Sequence, residues 1–439
     1  MSLNITPAMD ATRAQEIAQN LDLRALPTDF LNNPYPVYAA LREAEPFKRM
    51  PDGSFFLTRH ADLVAVYRDA KVFSSDKQVE FGPKYNHAPF NQPPYTATGG
   101  VAPLFEHHTN SLVFNDPPLH TRVRRLIMGA LTRRAIEAME PGLVSLVDSL
   151  LDQIETQGGG DLIEDFASAI PVEIIGNLLD VPHADREPLR AWSLAILGAL
   201  EPSLTPEQEA LGNQSVTEFL AYLRQLVAKR RLHPGDPEHD VLTRLIQGEE
   251  NGDALSEVEL LQNCVFLLNA GHETTTNLIG NALISLQEWP EQRLRLLSDL
   301  HQAPDEDAVQ GILGLAVDEF LRFESSNQLG NRRALQATQV NGVELPAGAL
   351  VTLCIGAANR DPAVYENPEQ LDLRRTGNKH LAFGFGVHQC AGLSLARLEG
   401  RIAIGRFLQR FPDYRLTRAP VRGGRARFRG FLNAPFAIA

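Results

Sequence analysis

Residues 380–392, HLAFGFGVHQCAG, set one cysteine among three glycines, two phenylalanines and two histidines. The chain has only three cysteines, Cys264, Cys354 and Cys390, far apart and without CxxC spacing. Neither a disulfide framework nor a structural zinc site follows from that. A cysteine that ligates a metal centre must be a thiolate, steadied by backbone N–H groups aimed at its sulfur. Glycines let the chain fold back tightly enough to aim them. The run AGLSLARLEGRIAIGRFLQRF that follows has helical periodicity, so Cys390 falls at a helix N-terminus, where the dipole favours an anion. Phe383 and Phe385 are placed to shield it from water. An isolated cysteine is more often a small buried hydrophobe, but Gly384, Gly386, Gly392 and His388 weigh against that here. A phosphate cradle fails on spacing: Gly384 and Gly386 begin a GxGxxG, but Gln389 stands at its third glycine and no Walker lysine follows.

A second chemical cluster is AGHETT, 270–275. Ala270, Glu273, Thr274 and Asn277 fall at i, i+3, i+4 and i+7, one helix face. A carboxylate beside a hydroxyl can relay protons. HETTT is a near miss to HExxH, with Thr276 replacing the second histidine, so a zinc protease is a poor reading. Glu319 and Arg322 form ExxR, a pattern that exposed helices carry commonly. In DPPLHTRVRRL, His120 and Arg124 stand at i and i+4, and NRRAL offers Arg332 with Arg333 as rival. Alone, these basic residues read as solvated surface.

Together the motifs resemble those of the cytochrome P450 monooxygenases. The string Phe383-Gly-x-Gly-x-His388-x-Cys390-x-Gly392 is similar to the family's haem-binding loop at every defining position. AGHETT resembles its oxygen-activation segment, and Glu319 precedes Cys390 by 71 residues, the family's order and approximate spacing. The resemblance implies haem b with Cys390 as its axial thiolate ligand and metal-binding residue. It implies that His120, Arg124, Arg332 (or Arg333) and His388 hold propionates, supplying cationic donors to a dianionic edge. Ala270 and Gly271 then let a flat cofactor and dioxygen lie against the backbone, and Glu319 with Arg322 anchors the structure beneath. Thiolate ligation pushes haem toward O–O cleavage. The implied activity is insertion of one oxygen atom of O2 into a hydrophobic small molecule, by hydroxylation, epoxidation or O-dealkylation. Thr274 would steady dioxygen and Glu273 connect it to bulk protons. Leu267, Ala270, Leu329 and Phe431, with the 80–112 loop and residues near Gln328, are expected at the substrate pocket. The chain departs from the family at FESSNQLG, where many members have a proline shortly after ExxR, and at Glu273, where many have aspartate. A peroxide-driven peroxygenase and a non-catalytic haem-thiolate sensor or carrier are the alternatives; the intact Glu273–Thr274 pair argues against both.

The elements that must position these groups are mostly helical. PGLVSLVDSLLDQIETQ from Pro141, AVDEFLRFE from Ala316 and a run of roughly thirty residues from Ser256 repeat apolar residues at three and four positions. Ser256 with Glu259 is a capping box, and Pro290 is a stop. Strand signals are fewer: SFFLTRHADLVAVY near Phe55, GALVTLCIGAANRD near Val351, and a turn at Asn341-Gly342. The expected fold is mainly α with a minor β-sheet portion, the haem lying between the long central helix and the cysteine loop and helix. Residues 1–439 are read as a single catalytic domain, 1–30 as an N-terminal extension and the Pro-, Gly- and aromatic-rich 80–112 as a substrate-recognition loop. The resemblance spans nearly the whole chain, which leaves no room for a fused reductase. Electrons would come from a separate ferredoxin and ferredoxin reductase, and Arg122, Arg125 and Arg397 could present a basic face to them. With 439 residues, 44% hydrophobic and 22% charged, the composition is that of an ordinary globular protein. A net charge of −13 disfavours nucleic acid and anionic membranes as partners. No signal peptide or membrane anchor is evident at the start, so a cytoplasmic location is expected.

Overall fold

The computed structural model describes residues 6–77, 102–237, 240–250 and 253–438. The longest helix, Glu257–Glu288, runs through the middle of the molecule. Its start is the capping box expected: the Ser256 hydroxyl accepts from the Glu259 N–H, and the Glu259 carboxylate accepts from the Ser256 N–H. It ends at Trp289, because Pro290 opens the next helix, Pro290–Gln302. A helix buried on nearly every side must be apolar or internally satisfied all round, and most of its residues from Leu260 to Leu286 are buried.

Two clusters of apolar side chains grip it. Toward its C-terminal half it packs with the helices Glu306–Phe323 and, in one core shared with Arg133–Gln157, Leu393–Arg410, a core that includes Val147, Leu283, Val317 and Phe407. Arg406 on the last of these donates to both oxygens of Asp148 at 2.6 Å, tying two of the flanking helices together. Toward its N-terminal half it packs with Leu189–Gly198 and Pro206–Leu232, through Ile196, Phe219, Leu223 and Val265.

The sheet is small and lies to one side. Its five strands run in the order Phe47–Arg49, Phe55–Leu57, Leu350–Cys354, Leu329–Ala334 and Phe73–Ser74. Leu350–Cys354 is central, parallel to one neighbour and antiparallel to the other, with Val351 opposite Arg332 and Leu350 opposite Arg333. The Asn341-Gly342 turn forms as expected between Thr338–Val340 and Val343–Leu345, with φ of 45° and 90°.

Several boundaries differ from the sequence reading. The β-like run near Phe55 is a strand only to Leu57. From His60 to Arg68 it is helix, burying Leu63, Val66 and Tyr67 at i, i+3 and i+4. The helix expected from Pro141 begins eight residues earlier at Arg133, capped by the Thr132 side chain, with Pro141 inside it. Of the 80–112 loop, 80–101 lies outside the described residues, and the rest is not irregular. Pro103–Asn110 is a helix with proline at its first turn, where no N–H is needed, and Leu112–Phe114 is a 3-10 turn. His107 faces Gln262 of the long helix at 2.9 Å and Asn263 accepts from the Leu112 N–H at 2.9 Å, which fixes this segment over the central helix. Residues 6–30, read as part of an N-terminal extension, also carry structure. Ala11–Gln19 packs on Tyr35–Ala44, placing Ala14, Ile17 and Leu21 in a core with Tyr38 and Leu41.

Candidate functional site

The cysteine loop owes its shape to two glycines. Gly384 and Gly386 have φ of 65° and 72°, which side-chain-bearing residues avoid. A Cβ on Gly386 would also stand 2.5 Å from the Tyr67 carbonyl oxygen, so the loop lies directly against the helix His60–Arg68. Arg68 sits over the Phe385 ring at 5.3 Å. The Cys390 N–H donates to the Phe383 carbonyl at 2.8 Å, closing the turn. The helix Leu393–Arg410 then starts after Gly392. Burial raises the Cys390 thiol's pKa, and the Gly392 backbone N–H, Arg124 and Arg397 oppose that rise. Cys264 and Cys354 are buried, whereas Cys390 is only half-buried.

The long helix presents the opposing wall. Phe266, Leu267, Ala270, Gly271 and Thr274 are half-buried while Leu268, Asn269, His272, Glu273 and Thr275 between them are buried. Those five fall on one stripe of the helix. The two helices touch where Leu278 packs over Gly400, 3.1 Å from where a Cβ would be. On the N-terminal side of that contact one helix carries the stripe and the other begins just after Cys390, so they border one cleft.

Basic and polar groups from three elements converge at its edge. His120 and Arg124 come from Leu119–Ala130, Arg332 from the strand Leu329–Ala334, and His388 from the cysteine loop. The His120 and His388 rings stand 4.0 Å apart. Burial, then the Arg124 charge, pushes His120 down to about 4. Burial, then Arg332, His120 and Arg124, holds His388 well below its ordinary range. Arg332 rather than Arg333 bears on both histidines, since successive strand residues face opposite sides. Both ring nitrogens of His120 and Nε2 of His388 are buried without a partner among the described residues. Orphaned donors beside two guanidinium groups fit a dianionic cofactor margin.

Beneath the cleft, Glu319 and Arg322 are both fully buried and paired twice, at 2.7 and 2.8 Å. Arg322 donates also to the carbonyls of Asn359, Pro368 and Gln370, and Glu319 accepts from the Asp372 N–H, Arg375 and Asn378. The motif thus gathers 359–378, the segment leading to the cysteine loop. Asn359 extends it, its Oδ1 accepting from the Leu381 N–H at 2.7 Å.

Glu273 and Thr274 are adjacent but differently held. The Thr274 hydroxyl donates to the Ala270 carbonyl at 2.6 Å. Glu273 is buried, and its Oε1 accepts from Arg425 at 2.5 Å while Oε2 has no partner among the described residues. Burial raises the carboxyl and Arg425 opposes it, leaving it at about 7. Arg425 was not foreseen: it lies 152 residues away with no pattern of its own. Ser326, in the stretch that departs from the family, donates to the Thr274 carbonyl at 2.8 Å.

Other expectations need correction. Leu329, expected at the pocket, is 2% exposed and packs among Tyr35, Tyr38 and Cys354, because its place on the strand points it at the N-terminal core. Phe431 lies in the core with Phe407 and Leu278, its ring under Arg422 at 3.8 Å. Leu267 and Ala270 do lie on the open stripe. Arg122, Arg125 and Arg397 are no free basic face: they pair with Glu259, Asp253 and Asp318.

A half-buried thiol at a helix start, a stripe of small and apolar residues facing it and a basic edge define a haem-thiolate site. Comparisons with known proteins agree. The sequence profile described as Cytochrome P450 matches residues 200–413. The chain is 35% identical over 396 residues to the biotin biosynthesis cytochrome P450 of Bacillus subtilis, covering 89% of this chain and 92% of that protein. It is 36% identical over 393 residues to the vitamin D(3) 25-hydroxylase of Pseudonocardia autotrophica, covering 88% and 89%. Among solved structures it resembles P450BioI in complex with hexadec-9Z-enoic acid ligated acyl carrier protein, with TM-score 0.83 and 32% identity over 94% of this chain and 100% of that one. The chain belongs to the cytochrome P450 family and carries haem b on a cysteine thiolate. No helix among the described residues is long and apolar enough to cross a membrane.

Proposed function

We propose that this haem monooxygenase inserts one oxygen atom of O2 into a mainly hydrophobic small organic molecule, by hydroxylation, epoxidation or O-dealkylation, with electrons from a separate ferredoxin and its reductase. Cys390 would supply the thiolate ligand to the haem iron, and His120, Arg124, Arg332 and His388 would hold the propionates. Phe383 and Phe385 limit water at the sulfur. When bound, the haem supplies reductive activation of O2, favoured by the thiolate's electron donation. The observation that carries the reading is the Glu273–Thr274 pair at the edge of the open stripe. Glu273 is held near the operating pH, where a proton donor works best. Its Oε1 is fixed by Arg425, which leaves Oε2 to take up and release the proton. Thr274 passes a proton on by releasing its hydroxyl hydrogen from the Ala270 carbonyl into the cleft while its oxygen accepts the incoming proton, so one O–H bond breaks as another forms.

The apolar part of the stripe, Phe266, Leu267 and Ala270, supports a hydrophobic substrate. So do two relatives, one named for hydroxylating vitamin D3 and one solved with a fatty acid on acyl carrier protein.

Reduction of the purified protein under carbon monoxide tests the ligand. The Soret band should take the position that thiolate ligation gives, and lose it in Cys390→Ala; persistence of the band in that variant would overturn the assignment. Thr274→Ala should divert electrons into hydrogen peroxide several-fold over the parent while leaving that spectrum intact. Full coupling in Thr274→Ala would remove the relay. A spin-state screen of fatty acids, terpenoids, aromatics and polyketides should find its responders among the apolar compounds.

A further inference from the structure

Asn269, His272 and Glu273 stand at i, i+3 and i+4 on the long helix, and they are 1%, 2% and 6% exposed. Both amide atoms of Asn269, both ring nitrogens of His272 and Oε2 of Glu273 have no hydrogen-bond partner among the described residues. The helix Leu189–Gly198 packs against the long helix, and on it the Ser193 hydroxyl is fully buried and has none either. Two links set these helices in register. The Arg190 charge, after burial, helps hold His272 at about 3. Arg425 bridges the Leu194 carbonyl at 3.1 Å and Glu273 at 2.5 Å. Ser193 lies between Arg190 and Leu194 in the chain, so it is bracketed by the two links. At the outer end Arg190 pairs with Glu164 at 2.7 Å, their side chains 31% and 46% exposed.

Folded proteins leave few buried polar groups unpaired, and four such side chains on two helices that pack together call for a common partner. A hydroxyl, a carboxamide and a neutral imidazole each donate and accept, which is the lining that small internal waters require and that an apolar ligand does not. We propose that this contact holds a file of internal water molecules running from the Arg190–Glu164 pair to Oε2 of Glu273, and that it feeds protons to that carboxyl. Ser193, Asn269 and His272 are positioning residues: they orient the waters and carry no net charge that would trap a proton. Only O–H bonds break and form. Glu273 gives up the proton on Oε2 and regains one from the nearest water, which is replenished from solvent. The charged groups near the file are Arg190 and Glu164 at its mouth and Arg425 at its inner end, with Glu201 also bearing on Glu273. Thr274 opens on the other side of the helix, so the 273–274 pair is where protons cross from file to cleft.

The inference rests on the proposed role of Glu273, and the test separates the two. A high-resolution crystal structure of the haem-loaded enzyme should show ordered waters bonded to Ser193, Asn269, His272 and Glu273. Direct pairing of these side chains without water would overturn the file. In turnover, Asn269→Leu with His272→Leu should raise peroxide formed per electron pair several-fold, toward the level of Glu273→Gln, and enlarge the solvent isotope effect. Ser193→Ala, a milder change, should move both readouts the same way if the double variant does not fold. Uncoupling in Glu273→Gln with none in the file variants would end the inference and keep the role of Glu273. Unchanged coupling in Glu273→Gln would end both.

Discussion

Glu319 shows how far one buried carboxylate can organise a site it never touches. Its two oxygens accept from Arg322, Arg375, Asn378 and the Asp372 N–H, all at the base of the cleft. Removing one partner of a buried pair leaves the other charge uncompensated. Glu319→Gln should therefore cost about 3–5 kcal/mol, read as a lower denaturation midpoint and a smaller haem-to-protein ratio. A loss within experimental error would show that the pair is dispensable. At this scale the sequence was most readable where a residue type is forced by local geometry. Gly384 and Gly386 must be glycine because their φ is positive, so the loop announces itself. Arg425 and Asn359 act only through contacts made on folding, and nothing local marks them. Leu329 and Phe431 were misjudged for the related reason that an apolar residue looks the same facing a core or a pocket.

The helix Leu393–Arg410 carries a second unusual carboxyl. Glu399 is 2% exposed, and its Oε2 has no partner among the described residues. Burial alone pushes it up to about 8. An unfolded glutamate ionises near its ordinary value, about 4.3. Between those two pH values the folded chain holds a proton that the unfolded chain has lost. This group's contribution therefore favours folding less and less as pH rises through that window. Glu399→Gln should remove that slope, making the variant relatively more stable by a few kcal/mol above pH ~8. Parallel stability curves for the two proteins between pH 5 and 9, a range spanning ~4 units, would show that Glu399 is not the titrating group. Elements were legible in proportion to their signals. The long helix has a capping box, a proline stop and a long apolar period. Pro103–Asn110 has a first-turn proline but sits in a stretch whose prolines and histidines read as loop, and the partners that hold it, Gln262 at His107 and Asn263 at the Leu112 N–H just beyond, lie more than 150 residues away.

For the whole molecule, the N-terminal helix is part of the core that supports the sheet. Ile17 is 6% exposed in a cluster that includes Tyr38, Phe56 and Cys354. Ile17→Ala should cost about 2–5 kcal/mol, as truncation of buried aliphatic side chains does, with a matching fall in thermal midpoint. An unchanged midpoint would mark 11–19 as a detachable appendage. The overall class, mainly helical with a minor sheet, followed from periodicity, whereas the docking of Ala11–Gln19 did not, since a nine-residue stripe carries little pattern.

Arg429 gives the molecule an order of assembly. It donates to the Leu31 carbonyl at 2.8 Å across 398 residues of chain, to the Asn32 carbonyl at 2.8 Å, and to Glu324. Synthesis delivers the N-terminal parts first, yet the core they enter is incomplete until Arg429 has been made. A chain stalled between Glu324 and Arg429 therefore holds the Glu324 carboxylate and the Leu31 and Asn32 carbonyls without this arginine. The contact that joins Leu31 and Asn32 to Glu324 thus forms late, after every segment it connects has been made.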